Sequence, residues 1–288
     1  MDELELKKVV REVIGTEQTL DDCAVFSCGD DLLVTTTDML HQQTDFPSGM
    51  TEWQIGWMSA AVTLSDIAAM GARPIVLLLA IGLDRSGRLR EILEGAAACC
   101  RLCGTILAGG DLDSHQELTL VSSGVGCSMA GKVIRRRGAQ PGDIIGITGP
   151  LGRAHAALNG YQQYERFLFE PIPRVREGQL LAHAGVTSMM DISDGLVLSL
   201  YDMLDANECG FSVDSATLPL LEGVDPDISR EYALHGGGDF ELLFTCPPDR
   251  LSVLGMAVDV VGTVIKEHTV LVDGSPTERS GYLHQWKR

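Results

Sequence analysis

The run Leu64-Ser65-Asp66-Ile67-Ala68-Ala69-Met70-Gly71-Ala72-Arg73-Pro74 sets one acid among small and apolar residues. Thr51, with Gln54 three residues later, carries the capping-box signature of a helix start. Gly71 and Pro74 stop that helix. Along one face, Ile55, Ser59 and Val62 precede Asp66, and Ala69 and Met70 follow it. This is the face to be buried, and a buried lone carboxylate needs a partner. The backbone amides of a neighbouring loop would satisfy it, and so would a metal ion. The stretch by itself leaves both open.

The chain around this helix has 288 residues, the length of one large or two ordinary domains. The Arg135-Arg136-Arg137 run and the turn-forming Gly138-Ala139-Gln140-Pro141-Gly142-Asp143 mark a boundary. The expected division is therefore 1–138 and 139–288. With 45% apolar residues, both parts can build a core, and 32 glycines suit loops that approach ligands closely. The net charge of −18 disfavours nucleic acid and anionic membranes as partners. No apolar run is long enough to span a bilayer, and Met1-Asp2-Glu3-Leu4-Glu5 lacks the basic region of a signal peptide. A cytoplasmic protein is expected. Cys100-x-x-Cys103 has a redox or zinc spacing, but it falls in a helical pattern without a second pair, so these thiols read as small buried residues.

Acids recur where elements end. Asp21-Asp22 precede a strand at Cys23–Ser27, and Leu32–Met39 returns as the second strand of a hairpin carrying Thr35-Thr36-Thr37-Asp38. Ile75–Leu83 reads as a buried strand, and Leu89–Cys103 as a helix. A further strand then runs into Gly109-Gly110-Asp111. In the second half, Asp191-Ile192-Ser193-Asp194-Gly195 leads into a helix that Ser193 or Asp194 would cap. Gly236-Gly237-Gly238-Asp239 runs into the strand Phe240–Phe244. Hard oxygen donors without matching His or Cys suit Mg²⁺ rather than zinc. Carboxylate-held Mg²⁺, glycine turns and an arginine are the equipment of phosphoryl transfer. No Walker A motif, dinucleotide fingerprint or nucleophile elbow is present.

Together, Leu64–Ala72, Thr36-Thr37-Asp38, Gly109-Gly110-Asp111, Asp191-x-Ser193-Asp194-Gly195 and Gly-Gly-x-Asp239-Phe240-Glu241-Leu242 resemble the thiamine-monophosphate kinases, in that family's order. These kinases belong to the superfamily of aminoimidazole ribonucleotide synthetase. The resemblance implies an α/β (α+β) fold of two sheet-plus-helix domains and a homodimer built through the N-terminal domains. It also implies transfer of the ATP γ-phosphoryl group to thiamine monophosphate with Mg²⁺. Carried over, Asp22, Thr36, Thr37, Asp38, Asp66, Asp111, Asp191 and Asp194 would ligate metal, with Asp38, Asp66 and Asp191 as the catalytic set. Gly110, Asp111, Arg136 and Ser193 would bind ATP. Asp45, Gly238 and Trp286 would face the acceptor.

Of four departures, the last three fall at positions that touch organic groups. The family's Gly-Asp-Asp is Leu20-Asp21-Asp22 here, a His of the substrate site falls at Asp45, an acid falls at Gly238, and an aromatic beside the adenine falls near Cys103. Two alternatives follow: an enzyme of this fold with another small acceptor, such as a ribonucleotide, carboxylate or amide, or a non-catalytic nucleotide-binding protein.

Overall fold

A computed structural model describes residues 3–128 and 131–282. In chain order the elements begin with α1 (Glu3–Ile14), β1 (Ala24–Cys28), β2 (Asp31–His41), α2 (Glu52–Ala69), β3 (Arg73–Leu83), α3 (Leu89–Leu102), β4 (Leu107–Ser114) and β5 (Thr119–Cys127). They continue with β6 (Ile144–Ile147), α4 (Arg153–Leu158), α5 (Glu165–Phe169), α6 (Val175–Ala184), β7 (Ser188–Ile192), α7 (Leu196–Ala206) and β8 (Gly210–Val213). The last are α8 (Pro226–His235), β9 (Glu241–Cys246), β10 (Asp259–Ile265), β11 (Val270–Val272) and β12 (Ser275–Pro276). Among the described residues the strands form two sheets, ordered β1-β2-β5-β3-β4 and β12-β11-β8-β10-β6-β9-β7. The fold is mixed α/β, as expected. No helix among the described residues is long and apolar enough to cross a membrane.

Helix α2 is the axis of the molecule. The Thr51 hydroxyl accepts from the Gln54 amide at 3.2 Å, and the Gln54 side chain accepts from the Thr51 amide at 3.0 Å, which completes the capping box. At the other end Gly71, at φ +64°, turns the chain while its N–H donates to Ala68. Between Ile55 and Ala72 every residue is buried except Asp66. A helix apolar all round must be covered on all sides. Here β2 and β5 cover one side, α3 a second, and α6 and β7 of the other sheet a third. The α2–α3 crossing is close enough that a Cβ on Gly56 would lie 1.9 Å from the Ile92 carbonyl oxygen, and one on Gly95 would lie 1.8 Å from that of Trp53. Trp57 ties α2 to the second half, its indole N–H donating to the Pro171 carbonyl at 2.7 Å. Cys99 and Cys100 are buried on α3, as small core residues would be.

Two local readings need correction. Gly109-Gly110-Asp111 lie inside β4 rather than beyond it. Gly110 is required there by pairing, since at φ +158° a Cβ would come 1.8 Å from the Leu79 carbonyl oxygen of β3. Helix α7 begins at Leu196, after Gly195 at φ +104°, and neither Ser193 nor Asp194 caps it. The glycine makes the turn, and the Ser193 carbonyl instead accepts from the Gly238 amide at 2.6 Å.

Candidate active site

Alternation along β2 decides which hydroxyls and carboxylates meet α2. Thr36 and Asp38 face the helix: the Thr36 hydroxyl donates to Asp66 at 2.6 Å, and Thr63 of α2 donates to Asp38 at 2.7 Å. Thr35 and Thr37 face the other way, with the Thr37 hydroxyl bonded to the Ser122 carbonyl at 3.0 Å and to Ser123 at 2.9 Å. The Thr37 side chain therefore cannot join Asp66. From the other sheet, the C-terminal end of strand β7 brings Asp191 against α2, where Ser65 donates to it at 2.6 Å. Asp22 enters from the segment just before β1. Ligand oxygens of Asp22, Asp66 and Asp191 lie within 4.8 Å of one another.

This geometry is costly for three like charges. Burial, and then Asp38, Asp191 and Asp22, push Asp66 well above the usual carboxylate range. Burial and the nearby Asp22 raise Asp191 from 3.8 to about 8, and burial also raises Asp22 and Asp38. The Asp22 side chain is 1% exposed, and its Oδ2 has no hydrogen-bond partner. Its Oδ1 accepts from Arg136 Nε at 3.2 Å. A buried carboxylate oxygen without a donor, beside two more carboxylates, fits a hard divalent cation.

The raised values set the direction of pH dependence. A folded pKa above the unfolded one means the folded chain binds the proton more tightly, so its stabilisation is present at low pH and lost as pH rises. For Asp191 the window runs from 3.8 to about 8, and Asp194 and Asp239, each raised to about 6, add to its lower part. In EDTA the melting temperature should fall between about pH 5.5 and about pH 8.5, and Mg²⁺ should flatten that slope. A metal-free protein whose melting temperature rises over this range would contradict the carboxylate geometry.

The other expected residues are placed as follows. Asp111 is not with the triad. Asp38, Ser122, Leu79 and Gly110 lie in line across four strands, three strand spacings or about 14 Å. Asp111 itself lies in line with Ala80, Val121 and Met39, on the face opposite Asp38, and is exposed. Gly110 and Asp111 border a groove of about 790 Å³ between α3 and β4, floored by Leu79, Ile81, Leu93 and Ala97. Arg136 is occupied by Asp22 and has Asp202 3.6 Å away. Ser193 and Asp194 sit together at 3.3 Å, beside the charges of Lys7, Glu3 and Asp202 rather than in the triad.

Asp45 closes its own turn, accepting from the His41 amide and the Thr44 hydroxyl, both at 2.7 Å. Its charge also reaches Tyr282, as does that of Asp194. Gly238, at φ +95°, offers backbone only, since a Cβ would press on Ala154 at 3.0 Å. Trp286 lies outside the described residues. Asp239 is a structural cap, accepting from the amides of Gly152 at 2.5 Å and Ala154 at 3.2 Å.

Sequence reasoning missed Ser65, Thr63 and Asp202. Ser65 adjoins Asp66 and so lies on the neighbouring side of α2, which no pattern predicted to face the second sheet. Asp202 sits mid-helix in α7, without a glycine or an element end to mark it.

Comparison with known proteins adds to this geometry. Residues 20–128 match the family model for the N-terminal domain of AIR synthase related proteins. The thiamine-monophosphate kinase of Methanospirillum hungatei is 50% identical, over 99% of this chain and 100% of the relative. That of Halobacterium salinarum is 40% identical, over 96% and 99%. A solved structure of AaThiL complexed with AMPPCP and TMP superposes with a TM-score of 0.91 at 25% identity, covering 99% of this chain and 97% of that one.

Proposed function

The chain belongs to the thiamine-monophosphate kinase family, and on that premise we propose that it uses ATP to phosphorylate thiamine monophosphate to thiamine diphosphate. The observation that carries this reading is the seam between the sheets, where Asp22, Asp66 and Asp191 converge and an oxygen of Asp22 is left unpartnered. A full-length structural neighbour holding AMPPCP and TMP supports it.

In this reading Asp22, Asp38, Asp66 and Asp191 hold Mg²⁺, with Thr36 and Ser65 orienting two of the carboxylates. When bound there, Mg²⁺ would supply positive charge to offset that of the phosphate oxygens. No side chain has to remove a proton, because the acceptor oxygen belongs to an already ionised phosphate. That oxygen bonds to the γ-phosphorus as the bond to the β-phosphate oxygen breaks, and ADP leaves. The protein's part is to position phosphates and exclude water. We assign the groove between α3 and β4 to the nucleotide base, since its walls are apolar and Gly110 and Asp111 line it. Ser193 and Asp194 are assigned to the phosphate side of the seam.

The distance from Asp111 to the triad supports a homodimer. Among the described residues, both β1 and β4 are unpaired edges of their sheet. If β4 of one copy pairs with β1 of another, Asp111 lies on the edge that the second copy's Asp22, two residues before β1, also borders, and two-fold symmetry closes both edges at once. The sheet face opposite α2 exposes Met39 and Leu78, apolar surface suited to such contact. The N-terminal unit, 1–138, would then carry nucleotide, metal and dimer contacts and Asp45 of the acceptor side, and 139–288 would supply Asp191 and the rest of the acceptor side. We infer a cytoplasmic location, which the eight free thiols fit.

We assign Asp45 and Tyr282, which lies within reach of the Asp45 charge, to the acceptor's cationic thiazolium ring. With Mg²⁺-ATP fixed, Asp45→Ala should raise the KM for thiamine monophosphate several-fold and leave that for ATP unchanged, as loss of an acceptor contact requires. If a ribonucleotide were turned over and thiamine monophosphate were not, the acceptor assignment would be lost and the nucleotide site kept.

A further inference from the structure

Arg136 answers to two carboxylates at once. Its Nε donates to Asp22 Oδ1 at 3.2 Å, and its Nη2 closes on the same oxygen. Its Nη1 lies 3.6 Å from Asp202 Oδ2, on α7. Asp202 is itself anchored: Arg279 closes on its other oxygen and also donates to Asp205 at 3.1 Å. Arg11 of α1 reaches the same Asp205 at 3.4 Å. The backbone around Arg136 is fixed as well, its N–H donating to Asp21 at 3.0 Å and its carbonyl accepting from Asn207 at 2.8 Å. So the guanidinium has little freedom in its main chain and two anionic seats for its head.

Only one of those seats belongs to the triad. Asp22 is shared between the arginine and the two other carboxylates, whereas Asp202 stands outside the cluster of close oxygens. A divalent cation approaching Asp22, Asp66 and Asp191 meets the guanidinium charge a few ångströms away, and in a buried setting that repulsion is weakly screened. The guanidinium can give up Asp22 without becoming an unpaired buried charge, because Asp202 is already within reach.

We propose that Arg136 is a displaceable counter-ion, seated on Asp22 until a divalent cation takes the triad and then retained by Asp202, which positions it toward the nucleotide's phosphates. Asp202 is thus a positioning residue acting through Arg136. The proposal rests on the Mg²⁺-ATP reading above and adds a competitor built into the site.

The test is Mg²⁺ binding to the full chain without nucleotide, measured by calorimetry at pH 8.5 so that protons compete least for the carboxylates. Arg136→Met removes the competitor and should bind Mg²⁺ at least about tenfold more tightly than wild type. Arg136→Lys keeps the charge and should bind like wild type. Asp202→Asn leaves the guanidinium only Asp22 and should bind Mg²⁺ several-fold more weakly. In the double variant Arg136→Met/Asp202→Asn, most of that weakening should vanish, because Asp202 acts through an arginine no longer present. Wild-type binding with an unchanged or weaker affinity in Arg136→Met would overturn the proposal and spare the Mg²⁺ reading. So would an Asp202→Asn effect that persists in full in the double variant. If no variant bound Mg²⁺, both would fall. Should Arg136→Met not fold, Asp202→Asn against Arg136→Lys decides: equal affinities in the two would count against the proposal.

Discussion

Asp66→Asn is expected to abolish phosphoryl transfer while leaving the metal-free protein at least as stable as wild type. The amide keeps the acceptor that the Thr36 hydroxyl uses at 2.6 Å, so the local hydrogen bond survives. What is lost is a negative charge in a cluster with Asp22, Asp38 and Asp191; burial, and then the proximity of these carboxylates, holds Asp66 well above the usual carboxylate range. Without a cation, that charge repels its neighbours and is desolvated, so removing it relieves the fold. In the presence of Mg²⁺-ATP the same charge orients the phosphates, and its loss should lower kcat by on the order of 10³-fold. Because the folded pKa is raised, the stability advantage of the variant over wild type should grow as pH rises. A metal-free melting temperature several degrees below that of wild type would instead make Asp66 a structural acceptor.

Mixing two inactive variants should restore activity. Asp111 and the triad lie on opposite faces of one sheet, with Asp111 on its edge strand. If both serve one nucleotide, they come from different copies. Asp66→Asn and Asp111→Asn would each be inactive alone. In a mixed dimer one site carries both substitutions and the other carries neither. After unfolding and refolding an equal mixture, half the dimers are mixed and each has one intact site, so activity should return to about a quarter of wild type. A mixture as inactive as its parents would place Asp111 in the same copy as the triad, and an Asp111→Asn variant active by itself would place it outside the site. Size-exclusion chromatography with light scattering on the same sample would show whether dimers are present.

Much of the site was legible because its residues break local rules. Asp66 interrupts an apolar helix, and Asp38 sits in a strand where Asp is depleted. Asp191 closes a buried strand from the second sheet. Each of these signals is short-range, and each residue reached the seam. Thr36 and Thr37 could not be separated by composition, and alternation along β2 separated them once the partner of each face was known. Asp111 shows where reading along the chain ends. Its Gly-Gly-Asp run resembles the others, but the order β1-β2-β5-β3-β4 carries it to the far edge. Strand order is set by tertiary pairing, not by any property of residues 105–111. The small strands β8, β11 and β12 escaped for a related reason: at two to four residues, with β11 paired parallel to β8, they show no alternation to detect. Ser193 and Asp194 look like helix caps in sequence, yet the turn is made by Gly195.

The most direct test of the whole account is product formation by the purified full-length protein. Incubated with Mg²⁺-ATP and thiamine monophosphate, it should produce thiamine diphosphate and ADP in equal amounts, with no product when EDTA removes the metal or when Asp66→Asn replaces wild type. If the protein bound Mg²⁺-ATP but formed no thiamine diphosphate at saturating thiamine monophosphate, the proposed function would be contradicted.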